Sequence, residues 1–127
     1  CALPHVASQE VVEGLLEGDN RVIDLSADFR IHDQEVYRAW YGEHRCADIL
    51  AEAVYGLPEL HREMMKDALL VANPGCYPTG AILALAPLLR AGLIDAGSII
   101  IDSKSGVSGA GRGANLDTSY AEVACGF

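Results

Sequence analysis

Four consecutive apolar residues, Leu69-Leu70-Val71-Ala72, run straight into Asn73-Pro74-Gly75-Cys76-Tyr77-Pro78-Thr79 and then into Ala81-Ile82-Leu83-Ala84-Leu85-Ala86. The first run has the length and side chains of a buried strand, and the last those of a helix body. The Pro-Gly pair makes the turn between them. Pro78 suits a first helical turn, where its missing N–H has no partner to lose. Cys76 is therefore predicted at or near a helix N-terminus. The free N–H groups and partial positive charge there favour thiolate over thiol. A thiolate on a sharp strand-to-helix turn suits attack on an acyl group. The plainer alternative is a cysteine that merely packs the turn.

The remaining segments alternate in type. Ala2-Leu3 reads as a strand end. Residues 4–18 read as a helix with Val6, Val11, Val12, Leu15 and Leu16 on one face and Gly18 as its stop. A strand over 21–26 leads into the polar loop Ala27-Asp28-Phe29-Arg30. Asp33 is placed to cap a helix over 34–41. A weaker helix follows over 47–53, then a loop over 55–59 and a short helix over 61–67. The helix beyond Cys76 is expected to reach about residue 91, with Pro87 kinking or ending it early. A further strand is expected over 98–102. Alternation of this kind predicts the α/β class with a largely parallel sheet. In such sheets, sites gather beyond the carboxyl ends of the strands. Four unusual loops are expected there: Pro4-His5, 26–30, 74–79 and 104–113.

Composition narrows the partners. The 127 residues are 50% hydrophobic and 21% charged, which suits a packed domain. The net charge of −9 argues against nucleic acid and against anionic membrane surfaces. No apolar run of transmembrane length and no signal-peptide pattern is read. Cys1, Cys46, Cys76 and Cys125 are widely spaced and contain no CxxC pair, so a zinc site is not expected. Reduced thiols in a cytoplasmic protein are the expectation. Both ends read as cut, so an internal piece of a longer protein is expected.

Two loops have an anion-binding character. In 104–113, Gly106, Gly109, Gly111 and Gly113 allow close backbone approach, Ser105 and Ser108 add hydroxyls, and Lys104 and Arg112 add charge. The spacing is neither that of a Walker loop nor GxGxxG. In 26–30, Arg30 can clamp a carboxylate or phosphate through its fork of donors; a local Asp28–Arg30 pair is the alternative. Among the histidines, His5 is placed to face a pocket, whereas His44 and His61 read as solvated. None has a spacing that ties it to Cys76. Tyr37, Trp40 and Tyr41 read as a packing patch, and Glu10, Glu13 and Glu17 as a solvated helix face.

The ordered motifs Ala2-Leu3-Pro4-His5, Asp28-Phe29-Arg30, Tyr55-Gly56-Leu57-Pro58-Glu59, Asn73 to Thr79 and Lys104 to Arg112 closely resemble those of the N-acetyl-γ-glutamyl-phosphate reductase family of arginine biosynthesis, among the semialdehyde dehydrogenases. The resemblance covers essentially the whole chain. It implies part of a Rossmann-type parallel sheet over 1–75, then the start of an α+β catalytic and dimerisation domain over 76–127. It implies NADPH-dependent reduction of an acyl phosphate to a semialdehyde through a thioester on Cys76, in a cytoplasmic homo-oligomer. Ser108, Gly109 and Ala110 match the family's loop near the cofactor; Ser26, Arg30 and Arg112 are candidates for substrate-anion contacts. The family's glycine-rich dinucleotide turn is expected upstream of Cys1 and its acid/base histidine downstream of Phe127. Three alternatives stay open: an aminoadipyl or aspartyl acyl phosphate as substrate, a non-catalytic association module, and a different cysteine enzyme.

Overall fold

The computed structural model describes residues 1–104 and 106. By internal contacts the chain divides into two compact units, Cys1–Leu93 and Ile94–Phe127. The first unit is an α/β layer. Its elements are α1 (Ala7–Glu17), β1 (Val22–Asp24), α2 (Gln34–Tyr41), a 3-10 helix (Ala47–Glu52), β2 (Val54–Tyr55), α3 (Pro58–Lys66), β3 (Leu70–Ala72) and α4 (Cys76–Arg90).

The strands form a parallel sheet in the order β1-β3-β2, with Val22 opposite Leu70 and Val54 opposite Val71. β3 is apolar throughout and buried throughout, as a central parallel strand must be. Val12, Val22, Phe29, Leu50, Ala53, Leu70 and Ala72 form the core beneath the sheet. The valine, leucine and phenylalanine side chains among them each contribute about 1.5–3 kcal/mol on full burial, the alanines less.

Several expectations change in detail. Ala2-Leu3 is not a strand, although Cys1 brackets β1 through Ile23 O (2.5 Å) and Leu25 N (2.9 Å). The face of α1 that packs inward is Ser8, Gln9 and Val12, while Val6, Val11 and Leu15 are exposed. The inward polar residues are there because they bond to neighbouring loops. Tyr55, read as loop, joins the unassigned Val54 in β2 beside β3. Asp33 caps α2 as expected, its Oδ1 accepting from Glu35 N (2.9 Å) and Val36 N (3.1 Å). Pro87 does not end α4. It sits one turn before the helix end, so only the Leu83 carbonyl loses its partner. Ala91 N and Gly92 N, the latter residue at φ 65°, close the last turn.

In the second unit, Asp95 caps a 3-10 helix, Ala96–Ser98, accepting from Gly97 N at 3.0 Å. The strand expected over 98–102 is not formed among the described residues, and Ile100 is 93% exposed. A strand needs a partner ladder, and its apolar triplet alone supplies none.

One buried carboxylate organises the loop after β1. Asp28 accepts hydrogen bonds from Ser8 Oγ (2.6 Å), Val6 N (2.7 Å) and Tyr37 Oη (2.8 Å). Its carbonyl accepts from His44 Nε2 (3.0 Å), because His44 Nδ1 already accepts from Cys46 N (3.1 Å). His44, read as solvated, is therefore half-buried structure, and burial lowers its pKa. The same carboxylate holds Val6 at φ 70°, ψ −46°, a conformation costing a β-branched residue about 1–3 kcal/mol. No Asp28–Arg30 pair forms among the described residues.

Burial alone raises the pKa of Asp28. The hydrogen bonds from Ser8, Tyr37, Gln9 and Val6 outweigh it and hold the carboxyl below 3.8. A group depressed in the folded state stabilises above its unfolded pKa, and that stability is lost as pH falls through the folded value. Urea denaturation is expected to show Asp28→Asn weaker by about 2 kcal/mol at pH 7. The variant also loses part of the stability decline below about pH 4. An unchanged acid slope in Asp28→Asn would remove Asp28 from this role.

Candidate active site

The site is built on the carboxyl ends of β1 and β3. Beyond β3, Asn73 N continues the ladder to Asp24 O at 2.8 Å. Gly56 N donates to Ala72 O at 2.8 Å from the other side. Held on both flanks, the chain turns through Pro74 and Gly75, and Cys76 is the first residue of α4. Thr79 closes the turn, its N and Oγ1 donating to Gly75 O at 3.0 and 2.8 Å. Gly75 stands at the N-cap without a side-chain cap bond, and Cys76 is exposed. The N–H groups of Cys76 and Tyr77 thus have no acceptor among the described residues, and Pro78 has none to offer.

Arg30 comes to this turn from the β1 side. Its Nε donates to Asn73 O at 2.7 Å and Nη2 to Leu25 O at 2.8 Å. The guanidinium therefore spans the two strand ends, its plane fixed by two backbone carbonyls. Its Nη1 lies 3.2 Å from where a Cβ on Gly75 would stand. No carboxylate pairs with Arg30 among the described residues, although the chain carries −9 overall. A half-buried cation so placed attracts an anion. The other residue drawn in is Tyr55, at the end of β2, which sequence reasoning gave no role. Burial raises its pKa and the charge of Arg30 pulls it back. The signal for it was the Tyr-Gly-Leu-Pro run, read only as a loop.

The other predicted residues divide. Ser26 is buried; its hydroxyl lies 2.5 Å from Asp24 Oδ2 and 2.7 Å from Ser8 Oγ, and accepts from Asp28 N at 3.0 Å. It is spent inside the loop rather than presented at the surface. Asp24 Oδ1, fully buried, has no partner among the described residues. His5 instead lies against the loop, its Nδ1 3.4 Å from Asp28 Oδ1, and packs edge-on to Tyr41. Ser108, Gly109, Ala110 and Arg112 lie outside the described residues. Lys104, which opens their loop, pairs with Asp102 at 2.5 Å.

Chemical reactivity separates the described cysteines. Burial and the neighbouring Glu13 push the Cys46 thiol up to about 11, so Cys46 stays protonated at neutral pH. Its Sγ is 3.6 Å from Gln9 O in the core. Cys76 is the exposed one, on a helix N-terminus that no carboxylate closes. By contrast, Asp33 caps α2, and Asp28 accepts from Val6 N just ahead of α1. No group of three or more metal-ligating side chains and no helix long and apolar enough to cross a membrane occurs among the described residues.

Comparison with known proteins gives the family. A family model described as the dimerisation domain of semialdehyde dehydrogenase matches residues 76–127, beginning at Cys76. Among similar curated proteins are N-acetyl-gamma-glutamyl-phosphate reductases of Geobacter metallireducens (60% identical), Geotalea daltonii (58%) and Syntrophobacter fumaroxidans (56%). Each similarity covers 99% of this chain but only 36–37% of the relative, so the chain spans little more than a third of their length. A second family model, the NAD binding domain of semialdehyde dehydrogenase, matches residues 1–68, more than half of the chain. This match, with the parallel sheet, establishes that the chain belongs to the semialdehyde dehydrogenase family.

Proposed function

We propose that this chain is the central part of an N-acetyl-γ-glutamyl-phosphate reductase, with Cys76 as nucleophile and Arg30 as holder of the phosphate. In this reading residues 1–75 belong to the nucleotide-binding domain and 76–127 open the dimerisation domain of a cytoplasmic homo-oligomer. The observation that carries it is the Arg30 guanidinium, unpaired with any described carboxylate, beside the exposed Cys76 turn. A carbonyl bearing a phosphate leaving group is the electrophile that fits both. The names of the relatives support the glutamyl substrate over the aminoadipyl and aspartyl ones.

The chemistry follows from the two groups. The Cys76 thiolate adds to the acyl carbon, and the developing oxyanion meets the free N–H groups of Cys76 and Tyr77. The C–O bond to phosphate breaks, and the leaving phosphate, which takes up a proton from solvent to become the dianion, is held by Arg30. A thioester on Cys76 remains. A nicotinamide cofactor, here proposed as NADPH, would when bound supply a hydride to the thioester carbonyl, releasing the semialdehyde and the Cys76 thiolate. Ser108, Gly109 and Ala110 are assigned to the cofactor, and Arg112 to a second anionic contact. Ser26 acts at one remove, through the loop that carries Arg30.

In the complete reductase, Cys76→Ser is expected to lower NADPH oxidation by about 10⁴-fold or more, because a neutral hydroxyl is a far poorer nucleophile than a thiolate. Retained turnover would remove Cys76 from the reaction. Arg30→Ala is expected to raise KM for the acyl phosphate by roughly tenfold to a hundredfold, the loss of a charge-assisted contact. An unchanged KM would place the phosphate elsewhere.

A further inference from the structure

Gly75 is glycine for a reason that its backbone does not supply. Its φ of −71° and ψ of 158° are extended values that any residue adopts. At an N-cap, Ser, Thr, Asp or Asn would serve α4 better, since each satisfies a free N–H of the first turn. What distinguishes the position is its surroundings. A Cβ there would stand 3.2 Å from Arg30 Nη1, 3.5 Å from Pro78 Cδ and 3.8 Å from Pro78 Cγ. The proline contacts are ordinary. The guanidinium contact is too close, and the guanidinium cannot swing aside freely because Asn73 O and Leu25 O hold it at 2.7 and 2.8 Å.

We infer that Gly75 is a positioning residue: its missing side chain lets the Arg30 guanidinium lie against the first turn of α4, and leaves that turn uncapped. The inference rests on the function proposed above and adds a residue to it. The two consequences act on different groups. Space beside Nη1 sets where the phosphate of the substrate sits relative to Cys76. The absence of a capping oxygen keeps the N–H of Tyr77, the one a cap at 75 would reach, available to the substrate's acyl oxygen. A serine at 75 would improve the helix and obstruct the site, because its hydroxyl would compete for the Tyr77 N–H. An alanine would add only the steric contact.

The two effects separate experimentally in the complete reductase. Inorganic phosphate binding by calorimetry reads the Arg30 side, and the rate of Cys76 alkylation by iodoacetamide reads whether the turn itself is intact. Gly75→Ala is expected to weaken phosphate about tenfold, the scale of one charge-assisted hydrogen bond, with the alkylation rate held within about twofold. In an Arg30→Ala background the same change is expected to alter phosphate affinity by less than about twofold, because the group it displaces is gone. Gly75→Ser is expected to melt no lower than Gly75→Ala while lowering kcat further. Wild-type phosphate affinity in Gly75→Ala, or the same tenfold loss in both backgrounds, would overturn the role of Gly75 alone. A wild-type enzyme with no affinity for phosphate would overturn the anion site of Arg30, and this inference with it.

Discussion

Everything at the strand ends depends on where the loop after β1 is tied. Asp28 ties it. Its carboxylate draws in Val6 N, Ser8 Oγ and Tyr37 Oη, and its carbonyl draws in His44, so α1, α2 and the loop meet on one residue. Because these partners satisfy Asp28, it does not pair with Arg30 two residues on. Arg30 is left to bridge Leu25 O and Asn73 O, which brings a fixed positive charge across the sheet to the Cys76 turn. The strained Val6 is one cost of that arrangement, offset by the buried hydrogen bonds it completes.

The arrangement assigns different work to groups that look alike. Carboxylates stand at two helix N-termini: Asp33 caps α2, and Asp28 accepts from Val6 N just ahead of α1. The N-terminus of α4 has glycine at its cap and arginine at its side, and is open to an anion. Two cysteines differ in the same way. Cys46 is a core thiol kept protonated by burial, whereas Cys76 is exposed at a turn with free donors. An electrophile that brings both an acyl carbon and a phosphate can use the thiol, the N–H groups and the guanidinium together.

The parts legible in the sequence were those set by short-range chemistry. Asp33 at an N-cap, the run Leu70–Ala72 as a central strand, and the Pro-Gly turn before Cys76 each follow from neighbouring residues. The parts that were not legible depend on distant partners. Ser26 looks like a surface hydroxyl until Asp24, Ser8 and Asp28 enclose it. His44 looks solvated until Asp28 O and Cys46 N occupy its two nitrogens. The Ile99-Ile100-Ile101 triplet has strand composition without a strand, since pairing is a property of two segments. Asp28 and Arg30 suggested a local ion pair by spacing, and the stronger claims of Ser8, Tyr37 and two backbone carbonyls separated them.

The central claim is covalent chemistry at one atom, so mass spectrometry tests it most directly. The complete reductase would be mixed with N-acetyl-γ-glutamyl phosphate without NADPH, quenched in acid and digested. The account predicts one acyl group on the Cys76 peptide and one phosphate released per site. It also predicts loss of the adduct when NADPH is added before the quench. Phosphate release with no adduct, or an adduct on any other residue, would contradict it.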